Sequence, residues 1–176
     1  MLTLREPDFE GFSTLQFSSD RSIEPEWFAE FERSIYGGSN SLDLQKIDRP
    51  SSRYDLVICN HVMEHVPYDN AAMNELGRII KDDGYVFLTV PNPFTNSHTS
   101  DWGYPREDQH GHYRVYGKDI VQRFKVYIPH MHVISITGAD PVTGTEDVIY
   151  FLCRTELGTR RIKSKFPNAI TVQVPT

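Results

Sequence analysis

Two apolar runs of strand length enclose a helix-periodic segment between Arg53 and Pro91, and this arrangement constrains the fold more than any other feature. The first run, Arg53-Tyr-Asp-Leu-Val-Ile-Cys59, is apolar at consecutive positions, as in a strand covered on both faces of a parallel sheet. The segment Asp69 to Ile80 follows, with Ala72, Met73, Leu76, Ile79 and Ile80 at the 3,4 spacing of an amphipathic helix. Asp69 can cap its start, and Lys81-Asp-Asp-Gly84 ends it with a glycine past the last turn. Tyr85-Val-Phe-Leu-Thr-Val90 is a second continuous apolar run, stopped by Pro91. Strand, helix and strand at this length predict a βαβ unit with a right-handed crossover.

A chain of 176 residues predicts one domain (1–12 a leader, 13–154 the core, 155–176 a C-terminal extension). The formal net charge of -6 argues against a nucleic-acid binder. No apolar stretch approaches the roughly 20 residues that span a bilayer, and the first residues lack a signal-peptide profile. Cys59 and Cys153 both lie in strand-like runs and are read as buried, reduced thiols. A cytoplasmic protein is expected.

Upstream, Ser13 to Ser18 reads as a strand, and Pro25 to Arg33 as a helix with Trp27, Phe28 and Phe31 inward. A Gly-Gly-Ser-Asn turn then separates two short strand-like pieces before Ile47. Downstream, His132–Thr137 and Asp147–Arg154 read as an antiparallel pair joined through residues 139–144. The patch of Arg160, Arg161, Lys163 and Lys165 reads as a solvated face. Ile170 to Val174 alternates like a strand and is either a frayed tail or a strand that pairs across an interface. The connection from Pro91 to Gly117, rich in aromatics and histidines, is too long for a plain link and reads as a binding loop.

The run Tyr54-Asp-Leu-Val-Ile-Cys-Asn-His-Val-Met-Glu-His-Val66, with Asn74-Glu-Leu-Gly-Arg-Ile-Ile-Lys-Asp-Asp-Gly-Tyr-Val-Phe-Leu-Thr-Val-Pro91, resembles class I S-adenosylmethionine-dependent methyltransferases, of the type 11-like branch. There it forms the fourth strand, the loop after it, the next helix and the fifth strand. Gln109-His-Gly-His-Tyr-Arg-Val-Tyr-Gly117 resembles an Asp-His-Val-Arg-Val-Tyr-Gly element of one branch of that family. The resemblance implies an α/β, Rossmann-like, doubly wound and mostly parallel sheet with an antiparallel C-terminal hairpin. It also implies S-adenosylmethionine across the carboxyl ends of the central strands. By position, Ser18, Ser19 and Asp20 would form the turn after the first strand, Asp43 and Leu44 would meet the adenine or ribose, and Asn60, His61 and Val62 would line the methionine side.

Two departures stand out. The first turn, Phe17-Ser-Ser-Asp20, lacks the glycines that let a backbone approach a ligand. The Ser18–Tyr54 interval is too short for two full strand–helix units, so the N-terminal half is expected to be shortened.

His61-Val-Met-Glu-His65 matches the H-x-x-E-H pattern of a zinc peptidase helix, but it follows a buried strand where a loop is expected and Pro67 soon interrupts it. No metal ligand is assigned. Glu64 and His65 are either a general base pair or the anchor of the following helix. His110 and His112, with Arg114 and Tyr116, read as an acceptor-binding group, as a metal pair, or as plain surface.

The resulting expectation is a methyltransferase acting on a small-molecule or glycan-like acceptor, with neither nucleic acid nor membrane as partner. Its rival is a degenerate member of the same fold serving as a scaffold or subunit. A metal-dependent hydrolase is a distant third. The shortened flank also suggests a second copy of the chain, or a partner domain, against the sheet.

Overall fold

The computed structural model describes residues 9–139 and 146–172. Its centre is the expected unit: strand β3 (Tyr54–Asn60), helix α1 (Asp69–Ile79) and strand β4 (Ile80–Thr89), with β3 and β4 parallel. Consecutive β3 residues serve opposite faces, as the period of two requires. Val57 and Cys59 join the core under α1, while Leu56 and Ile58 join a second core on the other face. The expected glycine stop lies inside β4 as a register irregularity between Tyr54 and Leu56. A Cβ on Gly84 would lie 3.0 Å from the Lys81 nitrogen and 3.0 Å from the Tyr54 carbonyl oxygen, so only glycine lets the strands close there.

Around this unit, seven strands form one sheet in the order β2-β1-β3-β4-β8-β7-β9. Strands β1 (Ser13–Phe17) and β2 (Glu30–Ser34) extend the parallel part. Strand β8 (Glu146–Cys153) pairs antiparallel with both β4 and β7 (His132–Ala139). Their connection, residues 140–145, lies outside the described residues, as do residues 1–8 of the expected leader. Helix α2 (Ile120–Tyr127) packs Phe124 into the α1 core, and α3 (Glu156–Lys165) sends Ile162 into the opposite one. No helix among the described residues is long and apolar enough to cross a membrane.

Three expectations are corrected. Residues 25–33 are not a helix: Pro25–Trp27 makes one 3-10 turn, and Glu30–Ser34 becomes the edge strand. The spacing of Trp27, Phe28 and Phe31 fits helical periodicity, but the free side of β1 offers a complete ladder, and the sheet overrides local preference. The long connection is not structureless either. It contains a two-stranded hairpin, β5 (Ser100–Arg106) and β6 (His112–Val115). Finally, Ile170–Thr171 forms β9 on the outer edge of β7 in the same chain, with Val172 N–H donating to the Val133 carbonyl at 2.9 Å. Two of the residues read as either a frayed tail or an interface strand are therefore committed to their own sheet, while residues 173–176 lie outside the described part. The shortening of the N-terminal half does appear: among the described residues, β2 is the only strand flanking β1 on the side away from β3.

Candidate active site

The carboxyl ends of β1 and β3 lie side by side, because those strands pair in register from Thr14 with Leu56 to Phe17 with Cys59. The turns that follow them meet. Asn60 donates its side-chain amide to the Asp20 carboxylate at 3.2 Å, and Thr89 at the end of β4 donates its hydroxyl to the Asn60 side-chain oxygen Oδ1 at 3.4 Å. Ser18 has a φ of 148°, a region that favours glycine, so a serine here holds the backbone in a glycine-like shape. Ser19 is exposed beside it.

Sequence reasoning missed the residue that braces this turn. Gln16 is fully buried and donates to the Ser18 hydroxyl at 3.3 Å and to the Asp20 carbonyl at 2.9 Å, while accepting from Arg33 at 2.9 Å. The available signal was an amide side chain inside the apolar run Leu15-Gln-Phe17. Burial works against ionisation of Asp20, but the Ser22 N–H, the Ser22 and Asn60 side chains and Arg33 outweigh it, so its carboxyl sits below the usual range.

Asp43 and Leu44 separate in role. Leu44 is buried in the α1 core, while Asp43 is exposed and accepts from the Gln45 backbone at 2.9 Å and side chain at 3.1 Å. Their segment is tied to the end of β2 through the Leu42 N–H and the Ser34 hydroxyl, at 2.9 Å.

Beyond Asn60 the chain turns sharply at His61, whose φ is 51°, passes the partly buried Val62, and enters a 3-10 turn at Met63–His65. This turn sends Glu64 inward, only 1% exposed, and leaves His65 exposed. The His61 ring nitrogen stands 3.6 Å from one Glu64 oxygen, and that carboxylate holds the His61 pKa above its usual value. The other oxygen, Oε2, is buried with no hydrogen-bond partner among the described residues.

Strand β6 lies against this turn. His112, Arg114 and Tyr116 share one face by the period of two and run along residues 63–69. The His112 ring meets His65 edge-on, with centroids 4.6 Å apart, and His110 lies 6.0 Å from His112. Burial lowers the His112 pKa, and the neighbouring His65 adds to the effect. Ligand atoms of Glu64, His65 and His112 all lie within 4.8 Å of one another.

Arg114 and Tyr116, expected to face an acceptor, point inward instead, each 1% exposed. Arg114 donates to the carbonyls of Met63 at 3.2 Å and Pro67 at 2.8 Å, and its Nε meets Asp101 at 2.9 Å. Tyr116 donates toward Met63 and Asp69 at 3.4 and 3.3 Å. These residues fasten the hairpin to the turn rather than reach a ligand.

The methyltransferase domain family matches residues 19–125, more than half of the chain. No curated protein matches the sequence. Solved structures share the fold at low identity. A Bacillus halodurans protein described as a methyltransferase superposes with a TM-score of 0.57 at 10% identity, over 81% of this chain and 91% of its own. Burkholderia thailandensis 1,6-didemethyltoxoflavin-N1-methyltransferase, bound to its substrate and S-adenosylhomocysteine, gives 0.56 at 13% identity over 84% and 72%. An Aquifex aeolicus SAM-dependent methyltransferase gives 0.53 at 12% identity over 84% of each chain.

Proposed function

The chain belongs to the methyltransferase domain family, and from that membership we propose that it is an S-adenosylmethionine-dependent methyltransferase whose donor lies across the turns after β1 and β3. The observation that carries this reading is the Asp20–Asn60 contact beneath a glycine-shaped Ser18. Those residues fit the group. An ionised Asp20 suits the donor's ammonium, and the Ser18 backbone takes up a conformation that favours glycine although no glycine is present. Asn60, His61 and Val62 would line the methionine side, with Asp43 reaching toward the ribose. When bound, the donor supplies an electrophilic methyl group on a sulfonium.

The chain's own residues then orient the acceptor and take its proton. Glu64 and His65 are the catalytic pair in this reading, with His65 accessible to the acceptor and Glu64 fixed behind it. His110 and His112 complete the acceptor side. Exposed rings at Tyr68, Phe94 and Tyr104, each in a segment following β3 or β4, favour a small-molecule or glycan-like acceptor that stacks on aromatic faces. The seven-stranded sheet with β2 and β9 at its edges supports one domain, and the free, buried Cys59 and Cys153 support a cytoplasmic location. The outer side of β2, which no further strand covers among the described residues, is where a second copy or partner domain would dock. Calorimetric titration with S-adenosylhomocysteine tests the central claim: binding that weakens in Asp20→Ala and Asn60→Ala supports it, and no heat at millimolar ligand returns the chain to the scaffold reading.

A further inference from the structure

We propose that Glu64, His65 and His112 form a binding site for one divalent transition-metal ion, of the two-histidine, one-carboxylate type, on the acceptor side of the cleft. Two independent observations meet here. The ligand atoms of the three side chains already lie within 4.8 Å of one another. In addition, Glu64 is 1% exposed with Oε2 unpartnered among the described residues, and leaving such an oxygen unsatisfied is costly. His61 does not remove that cost. Its nitrogen is 3.6 Å from the other oxygen, beyond hydrogen-bond reach.

The chemistry of the donor set points to the ion. Two imidazoles and a carboxylate suit zinc, iron, nickel or copper rather than magnesium or calcium, which favour all-oxygen ligands. Bonds of about 2.1 Å bring the ligand atoms of a tetrahedral ion to roughly 3.4 Å from one another. His65 is exposed and His112 half-buried, so closing the remaining gap is asked of side-chain rotation at these two rings. The backbone itself is fixed, because Arg114 locks the turn carrying Glu64 and His65 to the strand carrying His112. This is not the H-x-x-E-H arrangement. His61 and His65 sit on a left-handed turn and a 3-10 turn, not on one helical face, and the second imidazole comes from β6.

Three protein ligands leave a coordination position open, as in catalytic rather than structural metal sites. For its role, though not for its existence, the site rests on the acceptor lying on this side. With the ion bound, Glu64 and His65 serve as its ligands in place of the proton-accepting role, and an oxygen-bearing acceptor would be oriented and acidified by the ion.

Chelator-treated protein titrated with Zn²⁺ by calorimetry, and with Co²⁺ by visible absorption, reads the site directly. One equivalent should bind at micromolar concentration or tighter. His112→Gln and Glu64→Gln should each weaken binding by at least the ~10–100-fold seen for outer-shell partners, while His130→Ala, exposed before β7, should leave it unchanged. His112→Gln carries the test if the buried Glu64 variant fails to fold, with circular dichroism confirming structure. Absence of binding to the unmodified protein, or binding unchanged in His112→Gln, overturns the proposal. A parallel titration with S-adenosylhomocysteine separates the two readings: donor without metal removes this site alone, and metal without donor removes the methyl-transfer reading alone.

Discussion

Arg114 donates through Nη1 to the carbonyl oxygen of Met63 at 3.2 Å, which ties β6 to the residue immediately before Glu64. With its further bonds to Pro67 and Asp101, and its Nε 3.6 Å from the Asp69 carboxylate, the guanidinium joins the hairpin, the turn and the start of α1. Removing one partner of a buried charge pair typically costs about 3–5 kcal/mol. Arg114→Gln should therefore lower the unfolding free energy measured by urea titration by an amount in that range, while Asp69 keeps Arg123 as its partner at 2.9 Å. An unfolding free energy within error of the unmodified chain would show that the hairpin is held by something else.

Gly117, which closes the same element, packs against the backbone of the preceding loop. A Cβ there would lie 2.3 Å from the carbonyl carbon of His98, with backbone rather than a flexible side chain in the way. Gly117→Ala should destabilise by about 1–3 kcal/mol, the scale of overpacking. On β7, a Cβ at the exposed Gly138 meets nothing within 4 Å, so Gly138→Ala should stay within about 0.5 kcal/mol. Thermal melts of the two variants side by side check the contrast.

These contacts explain which parts were legible in the sequence. The Tyr54–Pro91 unit was readable because its apolar runs and 3,4 spacing report burial directly. The His112–Gly117 stretch was noticed as an unusual pattern, but a buried arginine and an arginine facing a ligand look alike without the partner strand. Arg114 finds its acceptors in carbonyls some 50 residues earlier, at positions 63 and 67. The same long-range closure hid His112 as a neighbour of Glu64. Residues 25–33 failed for the converse reason, since their aromatic spacing fits either structure and the choice belonged to the free edge of β1.

The N-terminal flank should also carry a distinct pH signature. Tyr54 on β3 and Arg49 both donate to Glu32 on β2. Burial raises the Glu32 carboxyl, but the bonds from Arg49 and Tyr54 bring it from an ordinary 4.5 down to about 2. A depressed carboxyl contributes stability that is present above 4.5 and lost as the pH falls toward 2. Burial and the same carboxylate push Tyr54 from 10.0 up to about 12, so its contribution is intact below 10 and lost as the pH climbs through 12. Subtracting the pH–stability curve of Glu32→Gln from that of the unmodified chain should leave a difference that shrinks at both ends. A flat difference across both windows would mean that the flank is not held by this network.

The donor subsite can be tested at one side chain that the fold does not need. Asp43 is exposed, and its carboxylate accepts only from Gln45, two residues away, among the bonds described for it. Its segment stays anchored without it, because Leu44 is buried and Leu42 is held by Ser34. Asp43→Ala should accordingly leave the melting temperature nearly unchanged. If Asp43 accepts a ribose hydroxyl of the donor, losing that charge-assisted bond should weaken S-adenosylhomocysteine by about 1–3 kcal/mol, or roughly 5–150-fold in affinity. Calorimetry on the variant gives the number. An affinity equal to that of the unmodified chain, in a protein that still binds the ligand, would move the ribose away from residue 43 while leaving the Asp20–Asn60 end of the site in place.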